Sequence, residues 1–190
     1  MTLSAPAFRE ALAHFATGVT IVTARVTAAH AKGALDQERE TLVGFTATSF
    51  ASVSLAPPVV LVCVNHVASA REGFLRAETF GINVLGEEQS WLAHQFARKG
   101  VDRFSGVRLL PTSGTPLIEG AIVQLECRPH ARHEVGDHTV VFGEVLAARV
   151  TPGRPLLHFA RRFGSLGAEP RTGSAASAED AAPSRAEAGE

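Results

Sequence analysis

The spacing of apolar positions changes repeatedly along the chain, and each change predicts an element. Phe8, Leu12 and Phe15 recur at helical spacing, and Thr17-Gly18 supplies a stop. VTIVTARV, residues 19–26, is a β-branched run that reads as a strand. Residues 27–40 are polar and Ala-rich and look like a long hairpin loop. GFTATSFASVSL follows as a hydroxyl-rich strand, broken at Pro57-Pro58, and VVLVCVN then reads as a strand buried on both faces. Ser69-Ala70-Arg71-Glu72 has the form of a capping box and predicts a short helix to about Arg76. ETFGINVLG, residues 78–86, is another strand. Residues 87–99 form a helix, with Leu92 and Phe96 one turn apart and Gly100 ending it. Residues 120–150 read as two long strands joined through Val135-Gly136-Asp137, and PLLHFARRFG, residues 155–164, closes the folded part. Many strands with few short helices predict a mainly β protein, an antiparallel barrel.

Composition limits what this framework can do. A chain of 190 residues with 45% hydrophobic content is long enough for one domain with a proper core. From Gly167 onward it becomes Ala, Gly, Ser and Pro with scattered acids, and no aliphatic larger than Ala follows. The expectation is a folded domain over 1–166 and a disordered tail over 167–190. The formal net charge of -1 advertises no surface for polyanions, so nucleic acid is not an expected partner. The longest apolar run, Val59–Val64, falls far short of the ~20 residues that a membrane helix needs. No basic and apolar leader opens the sequence. Cys63 and Cys127 are the only cysteines, and both fall within predicted strands. They read as reduced core residues, and the expected location is the cytoplasm.

Familiar chemical signatures are missing. Neither common nucleotide-binding glycine pattern occurs, nor a G-x-S-x-G elbow. Cys127, His130, His133 and His138 have a spacing that could be drawn as a metal site. Strand geometry puts Cys127 and His133 on one face, His130 on the other and His138 across a turn, so no metal is expected.

The stretch from Thr46 to Ser54 is more informative. It carries five hydroxyl side chains in nine residues and little bulk apart from Phe50 and Val53. Read with a period of two, Thr46, Thr48, Phe50, Ser52 and Ser54 share one face. Small side chains let a flat molecule approach the backbone, and hydroxyls can donate to it or accept from it. Ser69 at a predicted helix start suits an anion such as phosphate. Asn83 is the one polar residue in GINVL, where an amide usually has a specific partner. His138 sits beside a tight turn. Together these residues suggest a pocket for a flat, phosphate-bearing ring system.

They also carry a family resemblance. FATGVTIVTA, GFTATSFASVSLAPPVVLVCVN, FGINVLGEEQSWLAHQFA, DRFSGV, PLIEGAIVQLEC, GDHTVVFGEV and PLLHFARRFG occur in the order found in the flavin reductase family. These are the small reductase components of two-component flavin-dependent monooxygenases, and the likeness runs over roughly residues 7–164. It implies an FMN-binding split barrel, usually a homodimer, in which NADH or NADPH reduces FMN or FAD. It further implies that reduced flavin passes to a separate monooxygenase. No catalytic acid or base is implied, because hydride moves directly between the two ring systems.

Carried over by position, the resemblance assigns the flavin to Thr46, Ala47, Thr48 and Ser49, continued by Ser52, Val53 and Ser54. Ser69 falls near the phosphate, Asn83 in the family's V-N-V-L-like strand, and Arg103 and Phe104 beside the flavin entrance. His138 matches the nicotinamide-associated histidine of G-D-H, and Phe163 falls where many members carry Tyr. The alternative within the same barrel is a flavin carrier without enzymatic activity. Three departures stand out. Residues 28–40 lengthen a turn that is short in many members. The usual S-x-T reads Ser69-Ala70-Arg71, with Arg71 available as a substitute cation. The chain has no Tyr.

Overall fold

The computed structural model describes residues 3–27, 40–111 and 114–167. Most of the expected long loop and nearly all of the expected tail therefore lie outside the described residues. Ten strands and three α-helices are present among those described.

The helix α1 (Ala5–Ala13) starts on Ser4, whose hydroxyl accepts from the Ala7 amide. None of its residues is buried, so Phe8 and Leu12 face away from the core that their spacing suggested. Strand β1 (Thr17–Gly18) is short. Strands β2 (Thr20–Thr27) and β3 (Glu40–Ala47) then pair antiparallel, Thr20 opposite Ala47.

The hydroxyl-rich stretch is two strands, not one: β3 ends at Ala47, the chain bends through residues 48–50, and β4 (Ala51–Leu55) begins. The period-two faces expected across 46–54 do not survive that bend. Strand β5 (Pro58–Asn65) returns along β4, and α2 (Arg71–Arg76) follows. Here the capping box fails: the N-cap residue is Ala70, with no side-chain cap. Strand β6 (Phe80–Val84) leads into a 3-10 turn at Glu87–Gln89 and α3 (Ser90–Ala97), where one helix over 87–99 was expected. Gln89 Oε1 accepts from the Gly86 amide and anchors that turn.

The strands β7 (Val123–Val135) and β8 (His138–Val150) form the long hairpin. Gly136 has φ +58, the left-handed conformation that its tight turn requires. The strands β9 (Leu157–Phe159) and β10 (Arg162–Gly164) finish the chain.

Seven strands form one antiparallel sheet in the order β3-β2-β6-β7-β8-β5-β4, and β1, β9 and β10 form a second. The order has a geometric consequence. Strands β3 and β4 stand at opposite edges of the large sheet, yet only residues 48–50 join them. The sheet must curl until its two edges meet, which is a barrel with a seam: the mainly β, antiparallel split barrel expected from the sequence.

Alternation along β2 shows how the barrel is filled. Val22 and Ala24 point to one apolar cluster, with Phe45, Phe74, Phe80, Ile82 and Val62. Val19 and Ile21 point to a second, with Leu85, Leu92, Phe96 and Leu156. In the first cluster Phe74 lies edge-on to both Phe45 and Phe80, at 5.3 and 5.2 Å between ring centres. Each such pair contributes about 0.5–1.5 kcal/mol beyond its burial. The second cluster fixes α3 against the outer side of β3. Gly44 permits that approach, because a Cβ there would stand 2.7 Å from the Phe96 ring.

Candidate functional site

A cleft of about 360 Å³ opens at the seam, within the size range of small-molecule sites. One wall is the end of β3 and the bend after it, Phe45 to Ser49. The opposite wall combines Cys63, Asn65, Ala68, Ser69 and His138, and α3 with its following loop contributes Ala97, Lys99 and Arg103. The seam itself thus supplies the site.

Its hydroxyls divide by task. Thr46 donates to the Ala93 carbonyl at 2.7 Å and ties β3 to α3. Ser49 accepts from the Cys63 amide at 2.9 Å, so a side chain stands in for the strand partner that β5 lacks there. Thr48 is exposed to the cleft and its hydroxyl has no partner among the described residues.

Charge is distributed unevenly. Lys99 and Arg103 line the cleft, and among the described residues no carboxylate does. Arg103 donates to the Gly44 carbonyl at 3.1 Å and to the Arg98 carbonyl at 2.8 and 3.0 Å. Its partners among the described residues are backbone oxygens, and it forms no ion pair among them. At the other end Asn65 Nδ2 donates to His138 Nε2 at 3.4 Å, and His138 Nδ1 donates to Asp137 at 2.7 Å. That bond, with the nearby ring, holds the Asp137 carboxyl below its usual range. Behind His138, Glu134 accepts from Thr139, Arg71 and His66. Those contacts lower the Glu134 pKa, the Thr139 hydrogen bond most. Arg71 is engaged by Glu134 and Thr139 and is not among the residues that line the cleft.

Of the residues singled out by sequence, Thr46, Ala47, Thr48, Ser49, Ser69, Arg103 and His138 come together in this one cleft. Phe104 lines an adjoining compartment. Ser52, Val53 and Ser54 do not line the cleft. They sit on the edge strand β4, where a bulge between Ser52 and Ser54 interrupts the ladder to β5. Asn83 is elsewhere as well. It is fully buried, donates to the Ile21 carbonyl and Thr23 hydroxyl, and accepts from the Ile118 amide. Its partner is the core. Phe163 packs between His94 and His158, at 4.9 and 5.7 Å between ring centres, against the second apolar cluster.

Asn65, Cys63 and Lys99 were missed. Asn65 had a signal comparable to that of Asn83, a polar residue closing an apolar strand. Among the described residues no three His, Cys, Asp or Glu side chains converge as for a metal ion. Cys127 is buried, which with the nearby Glu126 pushes its thiol up to about 12.

The cleft suits the ring system that the sequence suggested. Ala47, Ala68 and Ala97 leave room beside the backbone, Thr48 and Asn65 offer polar groups, and two cations stand ready for a phosphate. Comparison with known proteins agrees. Residues 12–167 match the model of the flavin reductase like domain. An FMN reductase (NADH) of Agrobacterium fabrum is 39% identical over 157 residues, 83% of each chain. The reductase component of a 4-nitrophenol 4-monooxygenase/4-nitrocatechol 2-monooxygenase of Rhodococcus opacus is 37% identical over 157 residues, covering 83% of this chain and 78% of that one. Among solved structures, the NADH:FAD oxidoreductase of Streptomyces globisporus, in complex with NAD and FAD fragments, superposes with a TM-score of 0.74. It is 35% identical, with 89% of this chain and 99% of that one covered. The chain belongs to the family defined by the flavin reductase like domain.

Proposed function

We propose that this protein uses NADH or NADPH to reduce FMN or FAD, and that the reduced flavin serves a separate monooxygenase component. The observation that carries this reading is the seam cleft: small-walled, cationic at one end, and lined by no carboxylate among the described residues. Bound flavin supplies the hydride acceptor. The chain's residues bind and orient. Thr48 and the backbone of residues 46–49 face the ring, Ser69, Lys99 and Arg103 hold the phosphate end, and His138 positions the nicotinamide nucleotide. The relatives' reductase names support an enzyme over a passive carrier.

Two finer features belong to the same proposal. The first is a C2 homodimer, supported by apolar side chains that one chain leaves uncovered. Leu55 on β4 is 90% exposed and Phe15 after α1 is 71% exposed. The second is a cytoplasmic location, supported by two free thiols in separate strands. Among the described residues no helix is long and apolar enough to cross a membrane.

The deciding experiment mixes the protein with NADH or NADPH and FMN or FAD under nitrogen and follows oxidised-flavin absorbance. Bleaching at catalytic protein concentration is expected, and flavin binding without bleaching would establish the carrier instead. Sedimentation is expected to give a dimer, and a monomer of the 20.0 kDa chain at micromolar concentration would contradict the assembly.

A further inference from the structure

The seam cleft does not end at its cationic rim. Ser69 and Arg103 also line a second compartment of about 260 Å³, and they are the only lining residues that the two spaces share. The flavin reading gives the first cleft a direction. Its ring end lies along residues 46–49 toward Asn65 and His138, and its anion end is formed by Ser69, Lys99 and Arg103. The second compartment therefore begins where the phosphate of FMN ends.

Its walls differ in chemistry from the first. Val43, Val101 and Phe104 give it apolar surface beside the polar groups of Ser69, Asp102 and Arg103, and Asp102 is its one carboxylate among the described residues. Phe104 is half-buried, its ring braced edge-on by Phe96 at 5.0 Å between centres. A ring held in that way is a rigid platform for another flat system. One Asp102 oxygen accepts from the Phe104 amide at 2.9 Å. Asp102 forms no ion pair among the described residues, so its carboxylate retains acceptor capacity for a ribose hydroxyl or an exocyclic amine. A mixed slot with an aromatic platform and a carboxylate acceptor, entered past an arginine, has the chemistry of a nucleoside attached through a diphosphate.

We infer that this second compartment receives the adenosine end of FAD, and that the protein therefore prefers FAD to FMN. The inference rests on the flavin reading of the first cleft and adds the choice between the two flavins. FMN leaves the compartment unfilled. FAD places its diphosphate at Ser69 and Arg103 and its adenine against Phe104.

The test is equilibrium titration of the full chain with FAD, FMN and riboflavin, with no pyridine nucleotide present. Stacking of one base on an aromatic side chain sets the expected scale, so FAD should bind about tenfold or more tighter than FMN. Phe104→Leu keeps the packing on Phe96 but removes the platform, and Phe104→Ala removes both. Each should bring the FAD-to-FMN affinity ratio toward unity, with circular dichroism reporting that the fold is intact. FMN binding as tightly as FAD in the unaltered protein would overturn the inference and leave the flavin reading standing. An unchanged ratio in both variants, with a higher apparent KM for NADH alone, would assign the compartment to the adenosine of the pyridine nucleotide and equally overturn it. Binding of none of the three flavins would overturn the flavin reading itself.

Discussion

Asn65 and His138 are register partners across the β5–β8 ladder, and the Asn65 amide donates to His138 Nε2 at 3.4 Å. With Asp137 accepting from Nδ1, the ring is held from both sides at the cleft wall. A ring held in that way can orient a nucleotide. His138→Ala should therefore raise the apparent KM for NADH while flavin affinity stays nearly constant. The loss in kcat/KM should be on the order of ten- to a hundred-fold. A lower melting temperature with KM unaltered would show that the ring only braces the turn.

Thr48→Phe tests the opposite wall. Thr48 faces the cleft with a free hydroxyl, and a phenyl group there would occupy space without displacing a core residue. Flavin affinity should fall by more than about tenfold with the circular dichroism spectrum unchanged. Unchanged affinity would remove the flavin from this wall.

Asn83→Ala separates the core from the site. The amide serves Ile21, Thr23 and Ile118, and its removal leaves their buried groups short of partners. A loss of about 3 kcal/mol in unfolding free energy is expected. The fraction that remains folded should bind flavin as the parent does. Weaker binding by well-folded variant protein would return Asn83 to the site.

Cys127 sets an alkaline limit. Its thiol ionises near 9.0 when exposed and only near 12 in the fold, mainly through burial. Between those values the unfolded chain has lost a proton that the folded chain keeps. Stability therefore falls as pH rises above about 9, by at most about 1.4 kcal/mol per pH unit, and is independent of this group below that. Urea midpoints from about pH 8 to 10.5 should show this slope, and Cys127→Ala should flatten it. A slope that survives the substitution would assign the effect to another group.

How far the sequence could be read follows from what each signal depended on. The strands around Ile82, Val62 and Val141 were legible because both their faces are apolar and their ends carry turn residues. The break at 48–50 was not, because Thr48-Ser49-Phe50 contains no glycine or proline. The bend is imposed by pairing, since β3 belongs beside β2 and β4 beside β5 at the far edge. Ser52 and Ser54 fall outside the cleft lining for the same reason. The capping box at Ser69 failed because the following turn starts one residue later, on Ala70. Asn83 shows the limit most plainly: a lone amide in an apolar strand signals a partner but not which one.

The sheet order bears finally on when the chain becomes able to bind. Residues 48–50 are local in sequence, yet the walls they join meet only after every strand between β3 and β4 has been laid down. Closing that ring is a long-range event, and long-range pairings form late and slowly. The ligand accordingly cannot act as a template for the barrel; it can only occupy one already complete. During refolding, far-ultraviolet circular dichroism should recover before quenching of flavin fluorescence begins. Simultaneous recovery of the two would mean that the outermost strands come together early.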